Sequence, residues 1–303
     1  MTNSCFLLPN SYLLLGYYGF GNLGDELLLE ACIKILNSKG ISNENIIALS
    51  NNPEETQKNF KIKSVNRWKF FEVVKAMQKS ENLILGGGGL FQDSTSVKSC
   101  VYYWGIVRLA KFFGLKIFAL GQSIGLLRSG LAKFLTRDAL KLCEEIQVRD
   151  ENSFKTAKSF GCKNLILGED LVLQLKIKNE NSKLKNENKT LLVNLRPYKD
   201  FERFLKITAD IIKNFNGKKI GAAFSPEDEK VLSENQKILA LDEIILLKNF
   251  NDAEKLFSSA SSAVGMRLHF GVLAKIFEVP ATLLAYDIKV KEFAARYNIQ
   301  FRL

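Results

Sequence analysis

The sequence predicts an α/β protein made of two parallel-sheet units. Three observations carry this. Short apolar runs alternate with longer amphipathic segments along most of the chain. The apolar runs read as strands buried on both faces, the habit of parallel sheets covered by helices. A stretch rich in Asn and Lys, without apolar periodicity, divides the pattern near its middle.

The elements follow in order. Tyr12–Tyr18 reads as a strand and Asp25–Asn37 as a helix; Ile46–Leu49 is a short strand and Trp68–Lys79 helical. Leu83-Ile-Leu85 is a strand that runs into Gly86-Gly-Gly-Gly89. Tyr102–Phe113 is helical, Lys116–Leu120 a strand, Leu131–Cys143 a helix, Ile146–Val148 a strand, Glu151–Phe160 a helix and Leu165–Leu167 a strand. Residues 176–189 lack periodicity and read as a linker or exposed loop. Beyond them come the strand Thr190–Leu195, the helix Phe201–Asn214, the strand Lys219–Ala223 and the helix Glu227–Leu239. Ile244–Leu247, Ala263-Val264 and Ala281–Leu284 are further strands with helices between them. The expected domains are 1–176, a linker at 177–189, and 190–303, with the last helix a candidate to pack back on the N-terminal domain.

Composition narrows the function. The chain has 303 residues and a net charge of +11. Such a surface favours anions: nucleic acid, anionic lipid or phosphorylated substrates. It lacks the dense basic and aromatic interleaving of a nucleic-acid groove, so no nucleic-acid partner is expected. No apolar run approaches the roughly 18 residues of a membrane span, and Met1–Asn10 has no signal-like pattern. A cytoplasmic location is therefore expected. The five cysteines form no C-x-x-C pair, and with one histidine there is no metal cluster in the pattern.

In open parallel sheets, ligands bind beyond the carboxyl ends of the strands. The turns there are accordingly the places to seek chemistry. Gly16-Tyr-Tyr-Gly19-Phe-Gly21-Asn-Leu-Gly24-Asp25-Glu26 follows the first strand and opens a helix. Its glycines allow close backbone approach, and a helix N-terminus suits phosphate. Asp25 and Glu26 serve either a hydroxylic substrate or simply the helix dipole. Gly86-Gly87-Gly88-Gly89-Leu-Phe-Gln-Asp93 offers more glycine than a plain turn needs, and Asp93 could accept from a sugar hydroxyl or cap the next helix. Gly121-Gln-Ser-Ile-Gly125 and Val148-Arg149-Asp150 end two further strands. Arg149 is either an anion ligand or the partner of Asp150 or Glu151. Gly265-Met-Arg267-Leu-His269 holds the chain's single histidine, the one side chain that ordinarily titrates near neutrality. Tyr286-Asp-Ile-Lys289 follows the last expected strand. Arg149, Arg267, His269 and Lys289 together suit a small, multiply charged phosphate compound.

Taken in order, these motifs resemble those of the polysaccharide pyruvyltransferase family (CsaB type), from about residue 12 to 298. The resemblance implies two Rossmann-like domains facing across a cleft, as in GT-B enzymes. It implies transfer of the pyruvyl group of phosphoenolpyruvate to a sugar of a cell-surface glycan or its lipid-linked precursor, as a pyruvate ketal, with phosphate released. Arg149, Arg267, His269 and Lys289 would then line the donor site. Asp25 and Glu26 would lie near the acceptor, with Gly19, Gly21, Gly87, Gly88 and Asp93 contributing to binding. No cofactor or metal is implied, since phosphoenolpyruvate is a substrate. His269 would be either the general acid or a phosphate ligand. A lipid-linked acceptor would make the inner membrane face a candidate for peripheral contact. The sequence departs from the family pattern at Ser123, Leu126, Leu171 and Ile288, where the family carries Gly or Pro. Two alternatives stand beside this reading: a GT-B glycosyltransferase with a nucleotide-sugar donor, and a non-catalytic anion- or nucleic-acid-binding protein.

Overall fold

A computed structural model describes residues 11–93, 96–175 and 189–303. The expected linker at 177–189 lies, but for Lys189, outside the described residues. The chain forms two compact units. The first holds residues up to Phe20 and Leu28–Gln174; the second holds Gly21–Leu27 and Leu175–Leu303. Among the described residues no helix is long and apolar enough to cross a membrane.

The first unit contains β1 (Tyr12–Tyr18), most of α1 (Leu23–Ser38), β2 (Ile46–Ser50), α2 (Pro53–Phe60), β3 (Lys63–Asn66), α3 (Phe70–Gln78), β4 (Asn82–Gly88), α4 (Lys98–Phe112), β5 (Lys116–Gln122), α5 (Gly130–Lys141), β6 (Glu145–Val148), α6 (Glu151–Ser159) and β7 (Leu165–Leu167). Its seven described strands form one parallel sheet in the order β3-β2-β1-β4-β5-β6-β7. The direction of winding reverses between β1 and β4, the usual ligand edge of such sheets. β1, β2 and β4 are central, and nearly every residue in them is buried. Leu13, Leu15, Leu83, Leu85 and Ile117 pack one sheet face against Val73 and Met77 of α3, Val107 of α4 and Leu135 of α5.

The second unit repeats the plan. It contains β8 (Thr190–Asn194), α7 (Phe201–Ile212), β9 (Lys218–Ala223), α8 (Pro226–Glu234), α9 (Gln236–Leu239), β10 (Glu243–Leu246), α10 (Phe250–Ser258), β11 (Ser262–Gly265), α11 (Leu268–Ile276), β12 (Ala281–Leu284), α12 (Ile288–Arg296) and β13 (Gln300–Arg302). The sheet order is β10-β9-β8-β11-β12-β13, all parallel. Leu191, Val193, Val264 and Leu284 pack on Phe204 and Leu205 of α7. α12 packs against α11, β12 and β13.

The two-sheet α/β class expected from the sequence is the class observed. Several elements differ. α2 and β3 were not expected, because Thr56 is the only buried residue of α2 and β3 is a polar edge strand. α2 forms through its ends: Asn52 caps it and Pro53 starts it. The segment expected as one helix from Glu227 to Leu239 breaks at Asn235 into α8 and α9. β13 follows β12, so the Tyr286 turn is not after the last strand. Gly86, Gly87 and Gly88 belong to β4 rather than to a turn.

Buried charge ties β6 to the segment after β7. Arg149 Nη1 donates to Asp170 Oδ2 at 2.5 Å, and both side chains are buried. Asp170 also caps the short 3-10 turn Leu171–Gln174 by accepting from Val172 N. Replacing one partner strands the other charge, which costs about 3–5 kcal/mol. Asp170→Ala is therefore expected to lower unfolding free energy by about that much, as measured by urea denaturation.

Candidate functional site

The second unit gathers its polar side chains at the carboxyl ends of β8, β9, β11 and β12. Asn194 ends β8 and is fully buried; its Nδ2 donates to Ala222 O and its Oδ1 accepts from Arg267 N. This fixes the backbone where β11 turns into α11. Arg267 is the N-cap residue of α11, with extended φ and ψ. Its guanidinium lies on Asp228 of α8: Nε donates to Oδ2 and Nη2 to Oδ1, both at 2.6 Å. Nη2 also donates to Ser225 Oγ at 2.9 Å. Asp228 has no exposure to water and accepts further from Phe224 N. Burial works against the Arg267 charge, but the hydrogen bonds and charge of Asp228 outweigh it. Tyr286 and Asp25 add to the effect, and the guanidinium pKa is raised above its ordinary value.

The segment Gly21–Leu27 belongs to this unit. Leu23 N donates to Phe224 O at 2.8 Å, and Asn22 Oδ1 accepts from Gly24 N. Gly24 lies close against the His269 imidazole: a Cβ there would come within 2.2 Å of Nδ1. Gly24 is thus required by close approach to that ring. Asp25 and Glu26 occupy the first turn of α1 and are half-buried. Asp25 lies near enough to act on Arg267. His269, Arg267 and Asp25 are thereby brought near one another, with Glu26 in the same helical turn as Asp25. Gly21 joins them, its nearest neighbour across the unit being Pro226.

Lys289 sits in the first turn of α12, its N–H donating to Asp287 Oδ1 at 3.0 Å. Ile288, at the first helical position after this cap, is exposed. Leu171 holds the corresponding place after Asp170. Proline is favoured at that position because its missing N–H is unused there. The two departures from the family pattern at Leu171 and Ile288 thus fall where proline is tolerated but no hydrogen bond requires it.

Sequence reasoning missed Arg196. It follows β8, donates from Nη1 to Tyr286 Oη at 2.9 Å, and stacks over the Tyr286 ring at 5.3 Å. Its buried Nε has no hydrogen-bond partner, and among the described residues no carboxylate pairs with it. Tyr286 is held in turn by Tyr198, whose hydroxyl donates to the Tyr286 carbonyl. The available signal was an Arg just beyond a strand, as at Arg149 and Arg267. Asp228 was also missed, since its partner is 39 residues away.

The remaining expected site residues lie in the first unit. Gly19 has φ 77°, and a Cβ there would meet Ser50 Oγ at 2.1 Å, so this turn packs on the end of β2. Gly87 lies against Leu28, and the Gly88 carbonyl accepts from Ser123 N. Asp93 does not cap the following helix. Its two oxygens accept from Arg128 N and Ser129 N, both at 2.7 Å, and hold the loop before α5. Those hydrogen bonds lower its pKa, that from Ser129 most. Arg149 pairs with Asp170, not with Asp150 or Glu151; Asp150 instead caps α6. Among the described residues no group of His, Cys, Asp and Glu is arranged to hold a metal ion. Burial pushes the Cys32 thiol up to about 12 and raises Cys100, so neither is a thiolate at neutral pH.

A family model described as polysaccharide pyruvyl transferase matches residues 22–288. The chain belongs to the polysaccharide pyruvyl transferase family. No curated protein matches its sequence. Among solved structures it is similar to HepE of Anabaena in complex with UDP-glucose, at 12% identity and TM-score 0.56, over 90% of this chain and 80% of that one. It is also similar to the UDP-GlcNAc 2-epimerase of Neisseria meningitidis bound to UDP-GlcNAc, at 12% identity and TM-score 0.61, over 95% and 86%. MurG of Acinetobacter baumannii follows at 11% identity and TM-score 0.53, over 96% and 85%. At such identities the likeness concerns the fold: two parallel-sheet α/β domains of the GT-B type. The pyruvyl transferase match and that fold both agree with the order of motifs in the sequence.

Two measurements follow from this geometry. The chain has one histidine, so its imidazole gives one set of side-chain NMR signals. Gly24→Ala is expected to move them, because the ring must shift away from the new methyl group; unmoved signals would contradict the contact. For Asp93, the folded-state pKa is depressed. Its stabilisation is then present above the ordinary carboxylate range and lost as pH falls through the lowered value. The urea midpoint of Asp93→Asn should lie below wild type by a constant margin at pH 5–7, a margin that shrinks below about pH 4.

Proposed function

We propose that this pyruvyl transferase takes phosphoenolpyruvate as donor and forms a pyruvate ketal on a sugar of a cell-surface glycan or its lipid-linked precursor. The observation that carries the reading is Arg267, fixed on buried Asp228 two residues before the only imidazole of the chain. Phosphoenolpyruvate presents a carboxylate and a phosphate, and guanidinium groups suit both. Arg196 has a buried Nε without a partner, which supports a role for it as a second anion ligand. Lys289, at the next strand end, adds a third cation.

Protonation of the donor's methylene carbon makes it a methyl group and leaves an oxocarbenium centre at C2. A sugar hydroxyl attacks C2, and the C2–O bond to phosphate breaks. A second hydroxyl closes the ketal. The two hydroxyl protons balance those taken up by the methylene carbon and the departing phosphate. His269 gives the proton to carbon or binds the phosphate, and Asp25 or Glu26 takes the hydroxyl proton. Arg267 and Arg196 meet the charge of the leaving group. This chemistry needs no cofactor.

The second reading is a nucleotide-sugar transferase, favoured by the likeness to HepE solved with UDP-glucose. The donor separates the two. Phosphoenolpyruvate should raise the melting temperature of wild type, and phosphate should appear only when a glycan acceptor is present. His269→Ala should lower turnover by about 100-fold or more, the scale of one positioned proton donor. If UDP-sugars stabilise the protein and phosphoenolpyruvate does not, the second reading stands.

A further inference from the structure

The first unit carries a surface that the reaction leaves unused. Between β3 and α3 the chain reads Arg67-Trp-Lys-Phe-Phe-Glu72, and α3 continues to Lys75 and Lys79. Trp68, Phe70 and Phe71 stand 60%, 61% and 78% exposed. Lys69, Lys75 and Lys79 are exposed beside them; Glu72 of the same helix pairs with Lys69, and Glu81 follows the helix. Large aromatic side chains set among lysines on one helix are the composition of a membrane-interface element.

A groove of about 410 Å³ opens beside these residues, between Trp68, Phe70 and Val73 on one side and Val101, Tyr102, Ile106 and Leu109 of α4 on the other. Gly105 sits in its wall, and a Cβ there would meet nothing within 4 Å. A glycine inside a helix is unfavourable, and here no packing demands it; its effect is to keep the groove open. Arg67 forms the floor and is buried. Its Nη1 donates to Gly16 O at 2.7 Å, and its guanidinium lies 4.5 Å from the Tyr102 ring centroid and 5.3 Å from that of Trp68. Its Nε has no hydrogen-bond partner, and among the described residues no carboxylate neutralises it. A buried cation held by a carbonyl and aromatic faces retains its attraction for an anion.

We infer that this surface docks the enzyme on an anionic membrane. Trp68, Phe70 and Phe71 enter the interfacial layer, Lys69, Lys75 and Lys79 face the acidic headgroups, and the groove over Arg67 receives one of them. A sugar fits less well, because the walls are apolar and offer no carboxylate or amide to its hydroxyls. A second copy of the chain would set the same lysines against each other. The inference stands apart from the donor chemistry, since vesicle binding would persist if phosphoenolpyruvate were not the donor.

Co-sedimentation of the full chain with vesicles tests it. Wild type is expected to bind vesicles containing phosphatidylglycerol, to ignore pure phosphatidylcholine, and to bind more weakly as salt rises. Changing all three exposed lysines to Gln should weaken binding on the order of a hundredfold, taking each as worth a severalfold change. Phe70→Ser with Phe71→Ser should abolish it, and Gly105→Phe, which fills the groove, should weaken it. Circular dichroism checks that each variant folds; the lysine variant, altered only at exposed positions, carries the test if the aromatic one does not fold. Wild type that fails to bind anionic vesicles, or that binds as well after these changes, overturns the inference. So does a dimer in sedimentation velocity that the Phe double variant converts to monomer.

Discussion

A carboxylate shielded from water, Asp228, and the guanidinium clamped on it, Arg267, form the interaction on which the strand-end cluster of the second unit depends. Neither charge is tolerable alone in that place, because an unpaired buried ion is strongly disfavoured. Paired, they fix the direction of the Arg267 side chain and hold the turn from β11 into α11. Asn194 secures the backbone of the same turn from β8. His269 is two residues further on, so its position follows from that turn.

The pairing has a chemical consequence. Asp228 takes two donors of Arg267 and offsets its charge, which leaves Arg267 better suited to orient a ligand than to supply the whole attraction. Arg196, with a tyrosine for a partner rather than a carboxylate, retains more of its charge for an anion. Asp25 enters the same group of charges because the first turn of α1 is tied to Phe224 and laid against His269. A glycine turn that looked suited to cradling phosphate is, at Gly24, a surface for the imidazole.

Much of the fold was legible because β1, β4, β5 and β8 have apolar middles, as strands buried on both faces of a parallel sheet do. α2, β3 and β13 were not, since they lie at sheet edges or carry almost no buried apolar residues. Of the site, the Arg267–His269 turn and the acids of α1 were legible from their place after strands. Arg196 and Asp228 were not, because what gives them meaning is a partner 90 or 39 residues away. Asp93 was read as accepting from a sugar hydroxyl or capping the next helix; its oxygens accept from two backbone N–H groups 35 and 36 residues later, a pairing that the local sequence does not show. The departures Leu171 and Ile288 looked consequential in sequence and prove to be the first residues after an Asp cap, a place that accepts proline and aliphatic residues alike.

The most direct test of the central claim, that the strand ends around Arg267 form a phosphoenolpyruvate site with the imidazole inside it, is an NMR titration of the single histidine. Phosphoenolpyruvate is predicted to shift the His269 ring signals saturably, while UDP-glucose leaves them in place. Signals that stay unmoved at millimolar phosphoenolpyruvate, or that respond only to the nucleotide sugar, would contradict the account.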